Sequence, residues 1–253
     1  DGGCPVLLTE PQSTNLITSS NDFSSTTWTK SDSSVVEGFT SPDGSSNAFK
    51  LVESATTAEH SVYTDKYGTV NDYSFSIFAK KGEREFVSLV LSDNTRYLSH
   101  YTFNLTNGIV TKSYDYSGVT STFTSVEMAN GWYRLTLSSN YTFFQAIYSR
   151  VYVENIGTPS TVPSNSYQGD GTSGIYIFGA QLEELSYATS YIPTYGTVRT
   201  RLQDSVNGAG TSSDINSEEG VLFAEVGVLA NEALNKRIAL SDGTNNNRIV
   251  ITL

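Results

Sequence analysis

Aromatic and cationic side chains alternate with aliphatic ones through residues 147–153. The aliphatic positions are Ile147, Val151 and Val153, and the other positions are Tyr148, Arg150 and Tyr152. Successive side chains of a β-strand point to opposite faces, so we expect the aliphatic set in a core and the second set on an exposed face. Aromatic rings pack on the apolar faces of sugars, and arginine donates hydrogen bonds to hydroxyls. Tyr148, Arg150 and Tyr152 are therefore candidate glycan-binding residues.

Two other segments add candidates with the same chemistry. Trp132 and Arg134 alternate with the apolar residues of 133–137, and His100 is out of phase with Phe103. The same alternation places Trp132, Arg134 and His100 on the glycan-binding face. The alternative is that these side chains pack under loops or against a neighbouring subunit, since a tyrosine-rich β surface carries many aromatic residues without a ligand. For Trp132, in the sequence GWYR, the alternative is a role in the fold itself.

Motifs for catalysis are not found in the sequence. It contains no GxSxG, HExxH or phosphate-binding loop, and its two histidines are His60 and His100. Glu183 and Glu184 are adjacent on a predicted strand and point to opposite faces, so they cannot flank one glycosidic bond. We expect both at a solvated strand end, and we predict no enzyme within these residues.

A structural calcium ion and bound cofactors have little support in the sequence. Asp22, near the start, and Glu183, near the end, are acidic residues that a closed sandwich could bring together. No dense spacing of oxygen ligands accompanies them. We therefore predict no cofactor and leave a calcium site unassigned.

Charge and composition narrow the classes of partner. The 253 residues carry a net charge of −11, and the 15 lysines and arginines are scattered. Nucleic acid is not an expected partner, because the sequence has no basic run longer than Lys80-Lys81. The alternative is a local basic patch that binds an anionic polymer. No apolar run is long enough for a membrane-spanning helix, so membrane insertion is not expected. The single Cys4 has no partner for an internal disulfide.

The elements that would position these residues are short strands. Tyr and Phe number 16 and 12, only 16% of the residues are charged, and serine and threonine are abundant. Strand-length segments are separated by turn signals such as Asn107-Gly108 and Asn130-Gly131, and Ile175–Leu182 is the closing strand. Phe23 and Trp28 are expected as aromatic plugs where the first strand docks. The fold class predicted is all-β, a β-sandwich.

The composition of the sequence changes after Pro193. Residues 203–219 have almost no large apolar side chain and read as a linker or extended arm. Strands are predicted at 221–226 and 237–241, with a hairpin through Asp242-Gly243 to 248–253. Such a short segment cannot bury a sandwich core alone. We predict a module at 1–200, a linker or arm at 201–219, and an incomplete second β domain at 220–253.

Four segments of the chain occur in a recognisable order. They are GGCPVLLTEPQSTNLITSSNDFSSTTWTK, TSPDGSSNAFKLVE, NGWYRLTL and GDGTSGIYIFGAQLEELSYATSYIPT. Together they resemble a module of bacteriophage virion proteins, found in head-spike and tail-fibre domains, whose fold resembles the jelly roll of carbohydrate-binding modules. The later segments EEGVLFAEV and RIALSDGTNNNRIVITL resemble the opening strands of a laminin-G or concanavalin-like lectin sandwich.

The resemblance implies a structural and adhesive virion protein. Its expected location is the virion and the extracellular space, as part of a fibre, spike or tail appendage. The partners expected are other virion subunits, a homo-oligomer, and a cell-surface polysaccharide of the host. The alternative is a carbohydrate-binding module of a secreted bacterial polysaccharide-degrading enzyme. A catalytic domain in the flanking sequence would favour the alternative, and a virion-anchoring segment would favour the first reading.

Overall fold

The computed structural model describes residues 8–69, 71–93, 96–141, 146–157, 166–206, 227, 237–241, 246 and 248–252. The chain divides into two compact units, Asp1–Asp204 and Ser205–Leu253. In the described ranges no helix is both long and apolar enough to cross a membrane.

The described part of the chain is built almost entirely from strands. These are β1 Ser13–Asn15, β2 Thr29–Ser31, β3 Ser33–Phe39, β4 Ala48–Glu53, β5 Thr57–Ala58, β6 His60–Tyr67, β7 Asn71–Lys80, β8 Phe86–Ser92, β9 Tyr97–Asn104, β10 Ile109–Asp115, β11 Ser121–Glu127, β12 Trp132–Tyr141, β13 Ala146–Glu154, β14 Tyr167–Gln168, β15 Gly174–Glu183, β16 Arg199–Arg201, β17 Arg237–Ser241 and β18 Arg248–Thr252. A 3-10 turn, Ala129–Gly131, precedes β12. The predicted all-β class is confirmed.

Two six-stranded antiparallel sheets form the first unit. The first sheet has the order β10-β9-β8-β13-β6-β2, and the second has the order β11-β12-β7-β15-β4-β3. The short strands β1 and β16 pair with each other, and so do β5 and β14. Asn107-Gly108 joins β9 to β10, as its hairpin signal predicts, and Gly108 has a φ of +74°.

The core lies between the two sheets and takes alternate residues from their strands. Its members include Phe75, Ile77, Leu89, Phe103, Leu135, Leu137, Val151, Ile175 and Ile177. Phe23 and Trp28 are buried, with ring centroids 4.8 Å apart, and the Trp28 indole N–H donates to the Ser19 carbonyl at 2.8 Å. The predicted aromatic plugs are therefore confirmed.

The closing strand β15 contains a register shift beside residues 187–193, which follow the strand and are called here the exit segment. The register between β15 and β7 shifts between Phe178 and Gln181, and Gly179 sits there at a φ of +60°. An added Cβ at Gly179 would lie 3.0 Å from the Phe78 ring and 3.1 Å from the Tyr191 ring. Glycine is thus required both for the backbone conformation and for the close approach of the exit segment.

The second unit contains the antiparallel pair β17 and β18, in register from Arg237↔Thr252 to Ser241↔Arg248. The strands predicted at 237–241 and 248–253 are confirmed over the residues described. The predicted strand at 221–226 and the Asp242-Gly243 turn lie outside the described residues. The assignment of 220–253 to a lectin-like sandwich stays a prediction.

Candidate functional site

Strand β13 divides its side chains between the core and the outer face of the first sheet. Ile147, Val151 and Val153 belong to the buried core, as the alternation predicts. Tyr148 and Arg150 point the other way and are partly exposed. The outer face at β13 therefore presents the aromatic and cationic chemistry expected from the sequence.

Strand pairing places specific neighbours beside these two residues. Arg150 pairs with Tyr63 of β6 and with Val90 of β8. Tyr148 pairs with Asp65 of β6 and with Ser92 of β8. Directly paired side chains on one face of a sheet lie close enough to interact. The register thus adds Tyr63 and Asp65 to the predicted surface and places the buried Ser92 beneath it.

Tyr63, Tyr148 and Arg150 form a compact group, called here the Tyr–Arg platform. The guanidinium carbon of Arg150 lies 4.1 Å from the Tyr63 ring centroid and 4.9 Å from that of Tyr148. The two rings are 5.9 Å apart with an interplanar angle of 62°. Arg150 Nε also donates to Ser92 Oγ at 3.2 Å. Cation–π contacts and this hydrogen bond hold the arginine in a fixed orientation.

The chemistry of the platform suits a ligand that is apolar on one side and rich in hydroxyls. Two phenol rings offer apolar edges and hydroxyl groups, and the planar guanidinium offers N–H donors. Because Arg150 lies over both rings, part of their faces is occupied and a ligand would meet ring edges and the guanidinium together. Glu59, the residue before β6, interacts electrostatically with Arg150. Burial raises the pKa of the Glu59 carboxyl, while the positive charge of Arg150 lowers it.

Tyr152 lies on the outer face but does not reach the surface. It is 1% exposed, and its hydroxyl is hydrogen-bonded to Tyr97. Burial is the main cause of its raised pKa. The prediction that Tyr152 is an exposed glycan contact is wrong, because its outward orientation does not give it access to solvent.

His100 is also buried on the outer face. The ring shows no exposure, and its Nε2 lies 3.2 Å from Thr102 Oγ1. Thr102 Oγ1 is 2.8 Å from Ser88 Oγ, which donates to Glu154 Oε1 at 3.0 Å. Burial, with a smaller effect of Lys112, lowers the pKa of His100 to about 3, so the ring is neutral. His100 and Phe103 point to opposite faces of β9, as predicted. The prediction that His100 is exposed is wrong.

Trp132 belongs to a second apolar cluster, on the outer face of the second sheet. It is 1% exposed and packs with Ala48, Phe78 and Phe178. The partly buried rings around this cluster are Phe39, Tyr176 and Tyr191. The prediction that Trp132 lies on an exposed face is wrong, and the alternative role in the fold fits its burial.

Arg134 fixes the exit segment to the second sheet. Its Nη2 donates to the Thr189 carbonyl at 2.5 Å and to Ser76 Oγ at 3.3 Å, and its guanidinium carbon lies 5.5 Å from the Phe78 ring centroid. Burial lowers its pKa, although the charge of Glu183 opposes the shift. The six predicted residues therefore do not share one face, because β12 and β13 belong to different sheets. Of them, the structure brings together Tyr148 and Arg150.

Tyr63 is the platform residue that the sequence analysis did not identify. No strand was predicted at 60–67, where β6 lies. A signal was present in the β-branched and aromatic residues Val62, Tyr63 and Thr64, which favour a strand. In the structure Val62 is buried and Tyr63 is partly exposed. The position of Tyr63 beside Arg150, however, depends on the register between β6 and β13.

Glu183 is buried, contrary to the expected solvated strand end. Its side chain is fully enclosed and accepts hydrogen bonds from Ser13 Oγ at 2.6 Å, Gln181 Nε2 at 2.6 Å, Thr189 N at 3.0 Å and Thr189 Oγ1 at 2.5 Å. Glu184 is exposed, as predicted. Because both carboxylate oxygens of Glu183 already accept hydrogen bonds, this residue is unsuited to ligate calcium.

Asp22 accepts hydrogen bonds within its own turn, from Ser24 and Ser25. Within the described ranges, no group of three or more His, Cys, Asp and Glu side chains is arranged to hold a metal ion.

The chain is similar in structure to part of a bacteriophage protein. No family model matches the chain, and no curated protein matches it. The enzymatically active domain of bacteriophage CBA120 tailspike protein 4 aligns with 66% of this chain and 21% of its own, at 14% identity and a TM-score of 0.38. The chain thus spans about a fifth of that structure. A likeness at this TM-score carries no argument about the fold or the function of the present chain.

Proposed function

We propose that residues 8–204 form a non-catalytic, jelly-roll carbohydrate-binding module of a virion appendage, and that the Tyr–Arg platform contacts the glycan. The observation that carries the proposal is Arg150, held at 4.1 and 4.9 Å from two tyrosine rings on a partly exposed sheet face. The ordered resemblance of four sequence segments to phage spike and fibre modules supports the virion setting.

Two buried carboxylates of the first unit take part in holding the fold together. Glu183 has its oxygens filled by hydrogen-bond donors, and Glu53 is paired with Arg84. The platform combines two rings and a cation, which suit contacts to the apolar faces and the hydroxyls of a sugar.

Substitution at the platform tests the proposal. Tyr148→Ala and Arg150→Ala should each weaken binding by about tenfold on a glycan array and in titration calorimetry with the glycan that scores highest. The melting temperature should change by less than about 3 °C, because both side chains are partly exposed and lie outside the core.

Tyr195→Ala is the matched control, since Tyr195 is 73% exposed and lies outside the platform. It should leave glycan binding unchanged. Equal loss of binding in Tyr195→Ala, or intact binding in both platform variants, would exclude the platform as the contact surface.

A further inference from the structure

The Tyr–Arg platform contains one positive charge, and two negative charges lie beside it. Arg150 is the cation. Asp65 is exposed and pairs directly with Tyr148, so its carboxylate stands on the same face as the platform. Glu59 directly precedes β6 and interacts electrostatically with Arg150. A ligand on the platform therefore meets one positive and two negative groups.

Arg150 is held by rings and a hydroxyl instead of by a carboxylate. Its contacts are Tyr63, Tyr148 and Ser92. In the described part of the chain it forms no ion pair within 4.0 Å. Its remaining N–H groups are thus not claimed by a neighbouring acid, and Asp65 can accept a hydrogen bond from a ligand hydroxyl at the same time.

We infer that the platform selects uncharged, hydroxyl-rich polysaccharides over anionic ones, and that Asp65 determines this specificity; the inference rests on the proposed function. A neutral sugar ring offers hydroxyls that accept from Arg150 and donate to Asp65. A sugar carboxylate or sulfate gains one attraction to Arg150 but meets repulsion from Asp65 and Glu59. The net charge of −11 adds to this repulsion.

The size of the effect is set by the near charges. Screening at physiological salt removes most of the interaction beyond about 8 Å, so Asp65 and Glu59 matter more than distant acids. Two unit charges about 7 Å apart in water change an affinity by roughly threefold. Removing the charge of Asp65 should therefore shift the preference between neutral and charged ligands by about that factor.

Affinity gel electrophoresis with matched polymers measures the preference. The probes are dextran, mannan and hydroxyethyl cellulose, each beside its carboxymethylated derivative, and the proteins are the full chain and its Asp65→Asn, Tyr148→Ala and Asp72→Asn variants. Asp72 is exposed on the second sheet and serves as the control. The wild-type chain should bind a neutral polymer more tightly than its carboxymethylated form. Its affinity for the neutral polymer should change little with salt between about 0.05 and 0.5 M.

Asp65→Asn should lower the ratio of neutral to charged affinity by about threefold, and Asp72→Asn should leave it unchanged. An unchanged ratio in Asp65→Asn overturns the inference. Tighter binding to the carboxymethylated polymers that Tyr148→Ala abolishes also overturns it, while leaving the platform as the binding surface. Two results would overturn the proposed function together with the inference. In the first, the polymers slow the migration of Tyr148→Ala as much as that of the wild type. In the second, none of these polymers slows the wild-type chain.

Discussion

Glu53 is a buried carboxylate that joins four parts of the first unit. It accepts two hydrogen bonds from Arg84, at 2.8 and 2.5 Å, one from the Tyr167 hydroxyl at 2.7 Å and one from the Asp170 backbone N–H at 2.9 Å. Burial alone would raise the pKa of Glu53. The donors outweigh it and hold the pKa below its usual range.

A lowered pKa in the folded state makes stability depend on pH. The contribution of Glu53 is fully present above the glutamate pKa of the unfolded chain, about 4.3, and is lost as pH falls through the lower folded value. Glu53→Gln should cost about 3 kcal/mol at pH 7, because Arg84 loses its buried ion-pair partner Glu53 and keeps the longer contact to Asp170. The difference in unfolding free energy between wild type and variant, from urea denaturation, should shrink at pH 3.

Glu127→Gln is the control, because Glu127 is exposed at the end of β11. It should change the free energy of unfolding by less than about 0.5 kcal/mol at either pH. A Glu53→Gln variant that is as stable as wild type at pH 7 would contradict the role given to this network.

At the scale of the element, β15 is positioned by close backbone contact at Gly174. An added Cβ at this residue would lie 2.0 Å from the Leu51 carbonyl oxygen of β4. The Gly174 carbonyl in turn accepts from Arg84 N at 3.1 Å, and the Ser173 carbonyl accepts from Glu53 N at 3.0 Å. The absence of a side chain at Gly174 thus brings Arg84 and Glu53 together.

Gly174→Ala should destabilise the fold by more than about 3 kcal/mol, since β4 or β15 must move to admit a methyl group. Gly118→Ala should cost only about 1 kcal/mol, because Gly118 has a φ of +83° but nothing within 4 Å of the added Cβ. Guanidinium denaturation of both variants gives the comparison. A loss in Gly174→Ala no larger than that in Gly118→Ala would contradict the role given to the β4 contact.

At the scale of the whole molecule, the first unit is closed by joining its two ends. Strands β1 and β16 pair, and Glu10 and Asp204 exchange backbone and side-chain hydrogen bonds at 2.9 Å. Asn15 is fully buried and donates to the Ala180 and Ile192 carbonyls while accepting from Leu182 N. The chain therefore enters and leaves this unit at adjacent points.

Glu183 is the centre of this closure, and its substitution tests it. Glu183→Gln places an amide NH₂ among groups that already donate, so hydrogen bonds from Ser13 and Thr189 are lost. Amide hydrogen exchange should become at least about tenfold faster in residues 13–17 and 189–201 than in the sheets. Glu184→Gln is the adjacent exposed control and should leave exchange in these segments unchanged. Uniform acceleration throughout the first unit would mean that Glu183 supports the whole core instead.

The sequence by itself determined the class of fold and the orientation of many side chains. Alternation with a period of two placed Ile147, Val151 and Val153 inward and Tyr148 and Arg150 outward, because it follows from the local geometry of a strand. Phe23 and Trp28 were identified as core residues from their types.

Tertiary structure decided which outward side chains remain accessible. Trp132, Tyr152 and His100 point away from the main core yet are buried, and alternation cannot show what packs above a sheet. The register between β6 and β13 places Tyr63 against Arg150. Such long-range contacts depend on how distant segments pair, which no local pattern encodes. The same reason explains Glu183, whose charge suggested solvent but whose donors come from both ends of the unit.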